Sequence, residues 1–106
     1  MYTSIRKYRT RPEQMDQLLQ RVDESFAPTI EAMPGFVAYE AIDCGNGVLY
    51  TITTCHDSDA AEHSVELATE FVSQELADFE IERLEYAVGE VGVSRAVAEM
   101  LDPTHA

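Results

Sequence analysis

The sequence predicts an α+β fold: a ferredoxin-like βαββαβ chain whose four-stranded antiparallel sheet carries two helices on one face. Three observations predict it. Two stretches with helical apolar spacing each follow a β-like run, a Gly-Asn-Gly turn joins two further runs, and that central pair is almost uncharged. At 106 residues the chain fits one domain, expected over 1–95, with 96–106 as a short C-terminal helix or tail.

Tyr2, Ile5 and Tyr8 among β-compatible neighbours predict a first strand over 2–9. Pro12 suits a first helical turn, where its missing N–H goes unused, and Glu13 and Asp16 complement the positive end of the helix. Met15, Leu18, Leu19, Val22, Phe26, Ile30 and Met33 recur at steps of three and four, which makes one apolar face. Pro28 falls inside this pattern and should kink the helix or split off its last turn; Pro34-Gly35 ends it.

Phe36 to Asp43 reads as the second strand and Val48 to His56 as the third. Between them, Asn46-Gly47 tolerates the positive φ of a type I′ turn. Asp57, Ser58 and Asp59 offer N-caps, with Glu62 three after Asp59 as in a capping box. Val65, Ala68, Phe71, Val72, Leu76 and Phe79 form the apolar face of that helix. Leu84 to Val93 is the final strand, and its alternation slips near Gly89, which predicts a bulge there.

Twenty Asp and Glu stand against seven Lys and Arg, a net charge of −13. Lys7 is the only lysine, and no Lys or Arg falls between Arg21 and Arg83. Such a surface repels phosphate backbones and anionic headgroups, so neither nucleic acid nor a membrane is an expected partner. An RNA-binding role for the fold fails on the same ground. The acidity fits either an ordinary acidic protein or one from a salty, halophilic cytoplasm; near-absence of lysine favours the second. The N-terminus lacks the apolar stretch of a signal peptide, and no apolar run is long enough for a membrane span, so the expected location is cytoplasmic. Cys44 and Cys55 fall at opposite ends of paired strands, about 25 Å apart against a bridging limit of about 7 Å, and are expected to be free thiols.

A sheet with one wet face alternates apolar and polar residues. Phe36 to Ile42 carries one charge, Glu40, and Val48 to Cys55 none, so both faces should be covered. The helices cover one. A second copy of the chain covers the other, which predicts a homodimer. The alternative is that Thr51, Thr53 and Glu40 keep the outer face wet enough for a monomer.

Arg6-Lys7-Tyr8-Arg9-Thr10-Arg11-Pro12, Phe26-Ala27-Pro28, Met33-Pro34-Gly35-Phe36-Val37, the Asp43–Gly47 turn and the run from Ala61 through Leu76 resemble one family over roughly 2–93. It is the dimeric α/β-barrel superfamily that includes the antibiotic-biosynthesis monooxygenases. The resemblance implies substrate binding in a cleft between helices and sheet. It further implies a cofactor-independent, monooxygenase-like enzyme acting on an aromatic or quinone-like compound; the alternative is a non-catalytic ligand-binding or stress-related domain of the same fold. Members often carry a tryptophan at the end of the third strand, where Cys55 or His56 stands here, and this chain has no tryptophan. Haem-degrading relatives use a tryptophan, an asparagine early in the first strand and a histidine on the second helix. Only His63 matches, so haem degradation is not expected.

With a two-residue loop, Tyr39 shares a face with Val48, Tyr50, Ile52, Thr54 and His56; a three-residue loop reverses the partnership. If that face meets the helices, Tyr39, Tyr50 and His56 are the candidate catalytic residues, a base beside phenolic donors. The plainer reading makes the tyrosines core and His56 a helix cap. Arg6 and His63 are candidates for substrate binding, Arg6 because a guanidinium clamps anionic groups; pairing with surplus carboxylates is the alternative. Alternation sends Arg6 to one face and Lys7 and Arg9 to the other. Neither His56 nor His63 stands at a recognised ligand spacing, so no metal or other cofactor is expected. No nucleophile elbow, phosphate loop, Cys-x-x-Cys pair or catalytic carboxylate pair occurs.

Overall fold

A computed structural model describes residues 1–96. The elements run β1 (Tyr2–Arg9), a 3-10 turn (Pro12–Gln14), α1 (Met15–Arg21), a π-helical turn (Val22–Phe26), α2 (Ala27–Glu31), β2 (Phe36–Asp43), β3 (Val48–Cys55), α3 (Ser58–Glu75), a 3-10 turn (Ala77–Phe79) and β4 (Glu82–Glu90). The four strands form one antiparallel sheet in the order β2-β3-β1-β4, with the helices on one face. The terminal helix or tail expected over 96–106 lies, from residue 97 on, outside the described residues.

Pro28 does not break the first helical segment. It lacks an N–H, and its ring would press on the carbonyl four residues back in a regular turn. The chain widens instead: the Ala27 N–H reaches the Val22 carbonyl, a five-residue step, and α2 follows directly. Met15, Leu18, Val22, Phe26 and Ile30 thus stay on one face, and all are buried against the sheet.

The central hairpin departs from the expected register by one residue. Asn46 (φ 56°) and Gly47 (φ 80°) form the turn, closed by the Val48 N–H on the Gly45 carbonyl at 3.0 Å. Gly45, also at positive φ (83°), is then an extra residue, because the Cys44 N–H returns to the Val48 carbonyl at 2.9 Å. That bulge pairs Tyr39 with Thr53 and Ile42 with Tyr50. A slip of one residue turns every side chain to the other face. Leu49, Thr51, Thr53 and Cys55 therefore face the helices and are buried, while Tyr50, Ile52 and Thr54 face outward. The face expected to unite Tyr39, Tyr50 and His56 is not formed. Gly47 is required for packing as well: a Cβ there would stand 2.1 Å from the Thr10 carbonyl oxygen.

Three smaller expectations are also corrected. β3 ends at Cys55 rather than His56, and β4 begins at Glu82 rather than Leu84 and ends at Glu90 rather than Val93. The β4 bulge sits at Leu84, since Lys7 pairs with Glu85 and Tyr8 with Arg83, whereas Gly89 is in register with Thr3. Asp57 is the N-cap of α3, its Oδ1 accepting the Ala60 N–H at 2.8 Å, so Asp59 lies inside the helix and no Asp59–Glu62 box forms. The outer face of the sheet leaves Ile5 and Ile42 each 41% exposed, with Tyr50 and Ile52 half-buried beside them.

Candidate functional site

The inner face of β1 presents Tyr2, Ser4, Arg6 and Tyr8 toward the helices by simple alternation. Arg6 is wholly buried at the centre. Its Nε donates to Thr51 Oγ1 at 2.9 Å, Nη2 to Thr53 Oγ1 at 2.8 Å, and Nη1 to Ser4 Oγ at 2.5 Å and Ser64 Oγ at 3.3 Å. Ser64 in turn donates to the Ala61 carbonyl, so the Ser4 hydroxyl donates to Ser64 at 2.7 Å. The proton directions follow because a guanidinium has donors only. Every acceptor is a neutral hydroxyl. Among the described residues the close ion pairs are Arg11–Glu13, Arg11–Glu80 and His63–Glu66, and none includes Arg6. Burial pulls the Arg6 guanidinium below its ordinary value, while Tyr8 and Tyr39 nearby oppose the shift. It still remains charged at neutral pH.

Above this cluster lies a cleft between sheet and helices. Tyr8, Tyr39, Leu49 and Thr51 form its floor, and Val22, Phe26, Ala68, Phe71, Val72, Leu76 and Ile81 its walls. The Phe26 ring meets Tyr39 edge-on at 5.4 Å between centroids and Phe71 at 5.1 Å. The free space is about 20 Å³, room for one water. Burial raises the Tyr39 phenol well above its ordinary value, Arg6 opposing only in part, so Tyr39 is a proton donor at neutral pH. Thr51 lines the cleft, and because its Oγ1 accepts from Arg6, its hydroxyl proton is left available to donate.

Of the residues singled out from sequence, the structure brings Tyr39 and Arg6 together and leaves three apart. Tyr50 is on the outer face, with Lys7 Nζ 5.8 Å from its ring centroid. His56 is exposed in the β3–α3 loop, its N–H donating to the Gly35 carbonyl at 2.8 Å. His63 is exposed on α3, 3.4 Å from Glu66. Tyr8 and Thr51 were not singled out; Tyr8 was legible as the i+2 neighbour of Arg6, whereas Thr51 needed the correct hairpin register. Among the described residues no group of three or more His, Cys, Asp or Glu is placed to hold a metal, and no helix is long and apolar enough to cross a membrane. Cys44 is exposed and Cys55 buried, both free; burial pushes the Cys55 thiol up.

Two grooves flank the cleft. One of about 170 Å³ runs between Ser25, Thr29, Leu67 and Glu70, and it shares Phe26 and Phe71 with the cleft as a common wall. The other, about 630 Å³, lies between α3 and β4 over Glu62, Glu66, Thr69, Arg83 and Tyr86. There Arg83 Nη1 donates to Thr69 Oγ1 at 2.9 Å and the guanidinium carbon stacks 4.9 Å from the Tyr86 ring centroid.

The sheet order, helices on one face and cleft beneath them define a ferredoxin-like α+β protein. A family model described as antibiotic biosynthesis monooxygenase matches residues 1–68, and the chain belongs to that family. None of the curated proteins matches it. Among solved structures, HapK from Hahella chejuensis is similar with a TM-score of 0.69 and 21% identity over 92% of this chain and 99% of that one. The heme-degrader MhuD from Mycobacterium tuberculosis, with two hemes bound, has a TM-score of 0.70 and 15% identity over 91% of this chain and 100% of that one. A dimeric ferredoxin-like protein from an uncultured marine organism has a TM-score of 0.69 and 11% identity over 91% and 98%. At these identities the likeness shows the fold.

Proposed function

We propose that the chain is a monooxygenase-like enzyme that acts on an aromatic or quinone-like compound without a cofactor, with the helix–sheet cleft as its chamber. One observation carries this reading: aromatic and aliphatic walls close over a polar floor of Tyr8, Tyr39 and Thr51 that is backed by a buried cation. Such walls take a flat ring system, and such a floor takes a ring oxygen. The reaction that fits is oxygen insertion at a methylene activated through the ring system by that oxygen. The methylene and one molecule of dioxygen become a ketone and one molecule of water. Both C–H bonds and the O–O bond break, one oxygen atom becomes the carbonyl, and the other leaves as water with the two hydrogens. All four electrons come from the substrate, so no external reductant is needed. A space of about 20 Å³ admits water alone, so entry requires Phe71 to swing away from Phe26 and join the cleft to the outer groove of about 170 Å³.

The second reading, a non-catalytic ligand-binding domain, is favoured by the absence of histidine and carboxylate among the cleft-lining residues. Oxygen uptake with anthrone, without added metal or flavin, separates the two. The enzyme reading expects one equivalent of ketone per oxygen consumed and at least a tenfold loss in Phe71→Trp, which fills the entry. Saturable binding without turnover supports the second reading instead.

A further inference from the structure

We propose that the cleft selects its ligand by charge: the compound it takes carries one ionised oxygen, a phenolate, enolate or carboxylate on an aromatic body, docked on Thr51 and Tyr39 in front of Arg6. The inference rests on the cleft being the ligand site.

The first ground is the buried charge of Arg6, the only one among the described residues. A buried charge is ordinarily compensated by a counter-ion, yet Arg6 is met by four neutral hydroxyls, in a chain with twenty carboxylates elsewhere. The charge is also close to the cleft. An oxygen accepting the Thr51 proton, at about 2.7 Å from Oγ1, sits no more than about 6 Å from Arg6 Nε, itself 2.9 Å from that Oγ1. Opposite charge within about 4–6 Å favours the ionised form of a bound acid.

The second ground is the sign of the floor. Thr51 has its oxygen occupied by Arg6 and its proton left over, and Tyr39 is held protonated by burial. Both offer donors. No cleft-lining side chain is an anion or a base. A neutral ligand leaves the guanidinium uncompensated, a cation adds to its charge, and an anionic oxygen completes it. The absence of a base in the cleft agrees, because a ligand that enters ionised has no proton to lose there.

The test compares 1,4-naphthoquinone, which is neutral, with 2-hydroxy-1,4-naphthoquinone, which is anionic at pH 7. Affinities are read by calorimetry and the site by NMR shifts of Thr51, Tyr39 and Phe71. The anion is expected to bind at least tenfold more tightly. That preference should fall several-fold in Thr51→Val and to less than about twofold in Arg6→Met, with Arg6→Lys retaining part of it. If Arg6→Met does not fold, Thr51→Val and Arg6→Lys decide. Equal binding of both probes with shifts inside the cleft overturns charge selection and leaves the cleft reading standing. A preference that persists unchanged in the variants removes Arg6 as its source. Binding of neither probe, or shifts outside the cleft, overturns the cleft reading and this inference together.

Discussion

Ser64, in the second turn of α3, receives Nη1 of Arg6 at 3.3 Å and the hydroxyl of Ser4 at 2.7 Å, and passes its own proton to the Ala61 carbonyl. The buried guanidinium on the central strand is thereby tied to the helix that roofs the cleft. Because the donor–acceptor chain starts at a group with no acceptor, it has one direction, and each oxygen along it has a defined duty. The position of α3 over Tyr8 and Tyr39 thus depends on polar contacts as well as on packing of Ala61, Val65 and Ala68.

Replacing Ser64 by Ala removes the acceptor at the end of that chain. The Ser4 hydroxyl loses its partner in a buried place, and Arg6 loses one of four contacts. Leaving a buried polar group unmet costs about 1–3 kcal/mol. Urea denaturation should show a loss in that range, and an unchanged midpoint would refute the assigned proton directions.

The hairpin supplies a contrast between two glycines. At Gly47, φ is 80° and a Cβ would meet the Thr10 carbonyl oxygen at 2.1 Å, whereas Gly45, at φ 83°, has nothing within 4 Å. Gly47→Ala combines left-handed strain with a backbone clash and should cost more than about 2 kcal/mol. Gly45→Asn, which tolerates left-handed backbone, should cost less than about 1 kcal/mol. Parallel thermal melts check the order; equal losses would mean that Gly47 does not pack on Thr10 as described.

That same Gly45 explains what was legible in the chain and what was not. Spacing rules place Tyr2–Arg9, Phe36–Asp43 and the apolar faces of the helices, because each is a local pattern. Gly-Asn-Gly marks a turn, but glycine accepts either sign of φ, so nothing local says that Gly45 is an added residue. One uncounted residue moves Tyr39 from the company of Tyr50 and His56 to that of Thr51 and Thr53. The burial of Arg6 was harder still. Arginine is ordinarily exposed, and the hydroxyls that hold it, Ser4, Thr51, Thr53 and Ser64, meet only once two strands and a helix are brought together. π-helical geometry before Pro28 likewise depends on keeping Phe26 and Ile30 on one core.

Tyr39 gives a pH dependence with a definite sign. Its phenol is raised above the ordinary value near 10, chiefly by burial. Above that ordinary value the unfolded chain sheds this proton and the folded chain keeps it. Stability is therefore full below about pH 10 and is lost as pH climbs toward the folded value, by about 1.4 kcal/mol per unit. Absorbance at 295 nm should show a tyrosine component that ionises only as the protein unfolds and that is missing in Tyr39→Phe. In Tyr39→Phe the slope above pH 10 should diminish.

Salt should stabilise the fold. Among the described residues the three close ion pairs all join exposed side chains, so most carboxylates have no cation beside them. At a net charge of −13 the compact state repels itself. The screening length falls from about 10 Å at 0.1 M to about 3 Å at 1 M salt. Melting temperature should rise by several degrees between 0.1 and 2 M KCl, and a flat profile would end the halophilic reading.

The outer face of the sheet carries the last prediction. Ile5 and Ile42, each 41% exposed, stand with half-buried Tyr50 and Ile52 in a stripe that no element of the chain covers among the described residues. A second copy is the expected cover for that stripe, through an interface of at least about 1,200 Å² in total. Light scattering at micromolar concentration should give twice the mass of the chain. Ile5→Glu with Ile42→Glu adds carboxylates to both sides of a two-fold contact and should leave a folded monomer. Since each copy carries −13, KCl should tighten the dimer as it screens that repulsion. A wild-type monomer at every salt concentration would show the face to be free, and a dimer that survives both glutamates would place the contact elsewhere.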